Sequence, residues 1–189
     1  MRTHAPIPAI ITAAALAACE PYVNAQFFLY SVDTWTPEGQ QVVHRRFVDD
    51  VDFPGVPPGE PRLTYGHFLK LAVDEGATRR AITCDGASLV VRDSEVPWSH
   101  FWTGDLELWA ETESGHSQQL GAAAIVDGVE MKDSLVFAVQ AVDLMEVSGD
   151  FETGAFDIVL RGTPAGPLDE LPPLELLVSF ESEAYRPAP

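Results

Sequence analysis

The chain has 189 residues, 46% of them apolar, and carries 29 acids against 11 Lys and Arg, a formal charge of -18. A chain this acidic repels phosphate backbones, which argues against nucleic-acid partners, and it has no basic patch with which to dock on anionic lipid. Apolar residues spread along the whole length argue against disorder, and about 170 residues beyond the first 18 suffice for one ordinary domain with its own core.

The first element is residues 1–18. Arg2 supplies a positive start, and Ala5 to Ala18 form an apolar run without charge. That run is too short to span a bilayer, which needs about 20 apolar residues. It matches the core of a secretory signal, which is removed from the mature chain. Pro6 and Pro8 weaken a stable helix at its start. The segment ends in Leu16-Ala17-Ala18-Cys19, which resembles the lipobox of bacterial lipoproteins. The resemblance covers this segment alone. It implies that the Cys19 thiol receives a diacylglyceryl group, that the signal is cut just before it, and that Cys19 becomes the mature N-terminus. Such a group, with a further acyl chain, meets the requirement of about two lipid signals for stable anchoring. The expected localisation is the bacterial cell envelope, with the membrane as partner through the lipid anchor. Val23-Asn24-Ala25 offers a second cleavage point, after Ala25, which would give a secreted or periplasmic soluble protein. Residues 19–25 are expected to be the lipidated cysteine and a short tether, and 26–189 a single domain.

From residue 26 the apolar period is mainly two, the signature of strands. Strands are predicted around 26–32, 41–48, 63–73, 87–92, 105–113, 120–126, 156–161 and 174–182. Leu106, Leu108 and Ala110 face one way in "DLELWAETE", Phe156, Ile158 and Leu160 in "AFDIVLR", and Leu174, Leu176, Val178 and Phe180 in "LELLVSFES". Residues 133–147 are apolar on both faces; a long central strand is preferred there over a helix capped by Asp133 or Ser134. Cys84 reads as a buried, inert thiol at a strand end entering an Asp-Gly turn, with an intermolecular disulfide as the alternative. About nine short strands separated by Gly and Pro clusters predict an all-β fold, an antiparallel sandwich of jelly-roll or immunoglobulin-like type behind an N-terminal signal helix.

Two clusters carry possible chemistry. Asp49, Asp50 and Asp52 precede a Pro-Gly turn and are weak candidates for calcium, which takes six to eight oxygen ligands; their spacing fits no EF-hand loop. Trp98, His100, Phe101, Trp102 and Trp109 fall within twelve residues and are the candidate ligand-binding group. Exposed, they would stack on a glycan ring or anchor a protein partner; folded inward, the first four would plug one end of the sandwich. No G-x-S-x-G or H-E-x-x-H motif occurs, His44, His67, His100 and His116 are scattered, and no carboxylate pair stands out for glycoside chemistry. The expectation is therefore a lipid-anchored binding or structural domain of unknown ligand and no assigned catalytic residue. The alternatives are a small secreted jelly-roll hydrolase acting on glycans and a calcium-stabilised adhesion module.

Overall fold

Strands that alternate apolar and polar residues bury one face each, and here they do so in two antiparallel sheets packed on one core. The computed structural model describes residues 21–48, 79–91, 94–131, 134–153 and 156–185. Among them, one sheet has four strands in the order β1 (Pro21–Val32), β10 (Leu174–Tyr185), β4 (Arg79–Val91) and β7 (Leu135–Val136). The other has six, in the order β2 (Thr36–Glu38), β3 (Gln41–Val48), β9 (Phe156–Pro164), β5 (Trp102–Glu111), β6 (Ser117–Ala124) and β8 (Ala138–Val139). The protein is an all-β sandwich, as the alternation predicts. The signal segment, the strand expected at 63–73 with His67, and Asp49, Asp50 and Asp52 lie outside the described residues.

The inward faces are the expected ones where the pattern is regular. Leu106, Leu108 and Ala110 of β5, Phe156, Ile158 and Leu160 of β9, and Leu174, Leu176, Val178 and Phe180 of β10 are all buried. Phe156 and Phe180 meet edge to face across the two sheets, with ring centroids 5.6 Å apart.

Three expectations are corrected. The "CDGAS" stretch is not a turn but the middle of β4. Ser179 pairs with Gly86 while Phe180 pairs with Cys84, so Asp85 is an extra residue in the ladder. A one-residue bulge reverses which side each later residue faces. That is why Ile82 and Cys84 before it, and Ala87, Leu89 and Val91 after it, all point into one core despite their change of parity. The described part of this stretch, residues 134–147, forms neither a long strand nor a long helix. β7 pairs with β4 in one sheet and β8 with β6 in the other, so the chain crosses between sheets at the buried Phe137. A segment that serves both sheets in turn needs apolar residues on both faces. The short helix α1 (Leu144–Val147) follows, capped by the Asp143 carboxylate, which accepts from the backbone N–H groups of Met145 and Ile82, both at 3.0 Å.

The third correction concerns the tether. Residues 21–25 belong to β1, where Pro21 to Ala25 pair with Tyr185 to Glu181 of β10. At most Cys19 and Glu20 remain between the lipobox cleavage point and the sheet.

Candidate functional site

The five aromatic candidates are divided between core and surface. Trp98, Phe101 and Trp102 are 0%, 3% and 1% exposed. A ring with both faces covered cannot stack on a ligand, so these three are the plug at one end of the sandwich and not a recognition platform. The backbone explains their burial. Trp98 opens a single 3-10 turn, and its N–H donates to the Val129 carbonyl at 2.9 Å. The Ala165 N–H donates to the Phe101 carbonyl at 2.8 Å. Trp102 starts β5 opposite Pro164 and lies against Gly162, where a Cβ would stand 2.8 Å from Trp102 Cε3 and collide with Leu106. His100 remains exposed, edge-on to Phe101 at 4.7 Å between centroids.

Trp109 is the candidate that stays at the surface, half-buried on the outer face of the six-stranded sheet. Its Nε1 donates to Glu107 Oε2 at 3.0 Å, and the Arg161 guanidinium lies over its ring, 4.8 Å from the centroid. Arg161 also pairs with Glu111, and Arg45 pairs with both Glu111 and Glu38, the latter at 3.0 Å. Val43 and Val159, on strands β3 and β9 beside Arg45 and Arg161, are buried. Burial raises the Asp157 carboxyl above its ordinary range, with Arg45 opposing and Glu111 adding to the effect. The result is a braced indole flanked by carboxylates and guanidinia on four neighbouring strands. Such groups can hydrogen-bond a hydroxyl-rich or peptide-like ligand. Arg45 and Arg161 escape a search for aromatic or catalytic motifs. Their sequence signal is that they are two of only 11 Lys and Arg and fall on strand faces that alternate.

A second group, also missed, gathers around Trp35, between Trp102 and His44. Trp35 follows β1, with its ring 4.7 Å from Trp102 and 6.0 Å from His44. His44 is 4% exposed, and its Nδ1 is 2.8 Å from the Thr34 carbonyl. Trp35 Nε1, His44 Nε2 and Trp102 Nε1 are buried without a hydrogen-bond partner. Two shallow clefts flank this group. One of about 170 Å³ is lined by Trp35, Leu168, Leu171, Pro172 and Pro173; the other, of about 320 Å³, is lined by Asp33, Thr34, His44, Arg45 and Arg46.

The structure also unites residues that the sequence scatters. His116 Nδ1 lies 2.9 Å from Asp150 Oδ2, 3.1 Å from Ser114 Oγ and 3.3 Å from Ser148 Oγ, and Ser114 donates to Asp150. A serine, a histidine and an aspartate meet here, but not as a relay. In a relay the acid holds one ring nitrogen and the nucleophile meets the other, whereas here all three groups converge on Nδ1. The cluster is a clasp between the β5–β6 turn and the segment after α1. Cys84 is buried, and burial, opposed by a backbone hydrogen bond at Gly86 and aided by Asp85, pushes its thiol up to about 12. That thiol is not a nucleophile at neutral pH. Among the described residues, no three of His, Cys, Asp and Glu converge as metal ligands.

Comparison with protein-family models, with curated proteins and with solved structures finds no match for this chain.

Proposed function

We propose that the protein is an exported lipoprotein of the bacterial cell envelope, whose β-sandwich is a non-catalytic binding or structural domain held to a membrane through diacylated Cys19. The observation that carries this reading is that Pro21 to Ala25 already belong to β1. Cleavage before Cys19 leaves every described pair of the β1–β10 ladder in the mature protein, from Pro21 opposite Tyr185 to Val32 opposite Leu174. Cleavage after Ala25 would remove five residues already paired with β10 and expose the backbone groups of that strand. The lipobox-like Leu16-Ala17-Ala18-Cys19 and the pairing of Pro21 to Ala25 with β10 thus favour the same cleavage point. For binding, the braced Trp109 face has the mixture of indole, carboxylate and guanidinium that suits a glycan or protein partner, and the acidic charge disfavours nucleic acid.

The test is metabolic labelling with a clickable fatty acid in a bacterial host. The wild-type protein takes up label, and Cys19→Ala abolishes it while the unprocessed chain accumulates. An unlabelled wild type would overturn the reading.

A further inference from the structure

We propose that the cleft between the two sheets at Tyr30, Asp33, His44 and Arg46 is a binding site for a small zwitterion of the amino-acid type, its carboxylate on Arg46 and its ammonium on Asp33. This goes beyond the reading above, since neither Trp109 nor Cys19 takes part. The cleft has a volume of about 320 Å³, which suits a small molecule. β1 of the four-stranded sheet lends one wall and β3 of the six-stranded sheet the other, and Asp33 and Thr34, where the chain passes from sheet to sheet, lie between them.

The parity of β3 builds the cationic half. Successive side chains of a strand face opposite ways. Val42 belongs to the core and His44 is buried, so Arg46 turns to that same side, while Arg45 turns outward to Glu38 and Glu111. Inward positions of a sandwich form its core, and an imidazole followed by a guanidinium there calls for a polar occupant. Arg46 reaches Tyr30 on the opposite sheet, its guanidinium 5.6 Å from the ring centroid. Burial pushes the Tyr30 phenol up to about 12 against the Arg46 charge, so the ring brings no negative charge to the contact. Arg45 and Arg161 have carboxylate partners, whereas Arg46 makes no ion pair among the described residues.

His44 fixes the anionic half. Its Nδ1 lies 2.8 Å from the Thr34 carbonyl, which can only accept, so this nitrogen carries the proton. The bond ties the Asp33–Thr34 connection to β3 and keeps Asp33 on the same cleft as Arg46. The other ring nitrogen, Nε2, is buried without a partner. Buried polar atoms are nearly always paired, so an orphaned imidazole nitrogen in a cleft wall marks a place for a ligand. Asp33 and Arg46 do not pair with each other, and Asp33 makes no ion pair among the described residues. A plain anion would meet Asp33 and the field of a chain with formal charge -18. A plain cation would meet Arg46. A zwitterion answers both groups, and Leu29, 59% exposed on the same cleft, offers an apolar flank to its side chain.

The experiment adds L-leucine to the full-length chain in mild detergent and follows saturation transfer from the protein to the leucine methyl groups by NMR. Isocaproate, which lacks the ammonium, and isoamylamine, which lacks the carboxylate, are the comparison probes. The expected result is transfer to leucine several-fold stronger than to either, and several-fold weaker in Arg46→Gln and in Asp33→Asn. No transfer to leucine, transfer to either comparison probe as strong as to leucine, or transfer unchanged by either substitution would overturn the proposal. Both side chains are exposed, and circular dichroism checks that each variant is folded. Should Arg46→Gln fail to fold, Asp33→Asn and the three probes on the wild type decide the matter. Every outcome leaves the lipidation of Cys19 to its own test.

Discussion

At position 162 a missing side chain lets Trp102 and Leu106 pack directly against the backbone of β9. Adding one methyl group there forces two large buried residues to shift. Overpacking of this kind costs about 1–3 kcal/mol. Gly162→Ala is expected to lower stability by that amount in urea unfolding, and an unchanged midpoint would mean that Trp102 is not seated as described. Cys84 allows a second residue-scale prediction. Its thiol, pushed up to about 12 by burial, should resist iodoacetamide at pH 8 in the native protein and react fully in denaturant. Fast native alkylation would contradict the packing of β4. The difference between Trp98, Phe101 and Trp102 on one side and Trp109 on the other was not legible in the sequence. "PWSHFW" reads alike for a plug and for a platform, because what covers Trp102 is Gly162 and Trp35, each about sixty residues away along the chain. Trp109, by contrast, sits on the acidic face of an alternating strand, and its place at the surface was readable there.

Among elements, the legible strands are those with two-residue alternation and one buried face, such as β5, β9 and β10. The opaque ones break that rule for a physical reason. β4 changes parity at its bulge, and residues 135–139 serve both sheets in turn, so neither shows a single period. The clasp at the end of the β5–β6 hairpin is equally hidden, because Ser114 and His116 meet Asp150 only after folding. The Ser114 hydroxyl is the main cause holding the Asp150 carboxyl below its ordinary range; desolvation opposes it, and Ser148 and His116 add to the lowering. A folded pKa below the unfolded one means that this group's stabilisation is fully present above the unfolded value. It is lost as pH falls through the folded value. Carbon-13 NMR titration of Asp150 should therefore give a pKa under the usual 3.8. Ser114→Ala should move it back up, and no movement would remove Ser114 from the clasp.

At the scale of the molecule, Pro21 in β1 lies two residues from Cys19, and Val32 at the other end of the strand borders the Trp35 cleft. The all-β class was open to a reader of the sequence, since regular alternation and turn clusters point to an antiparallel sandwich or barrel. The start of the first strand was not. "EPYVNA" lacks the apolar alternation that marks the other strands, and its pairing with β10 is a long-range contact across the length of the domain. That pairing bears on the proposed processing point, because of the two cleavage points considered only the one before Cys19 keeps that cysteine and all the residues of β1 paired with β10. The most direct measurement is the mass of the mature N-terminal peptide from protein expressed in a bacterial host. The expected peptide begins at Cys19 and carries the added mass of a diacylglyceryl group. A peptide beginning at Met1 or Gln26, or one with an unmodified Cys19, would contradict envelope anchoring and leave the sandwich without its proposed place.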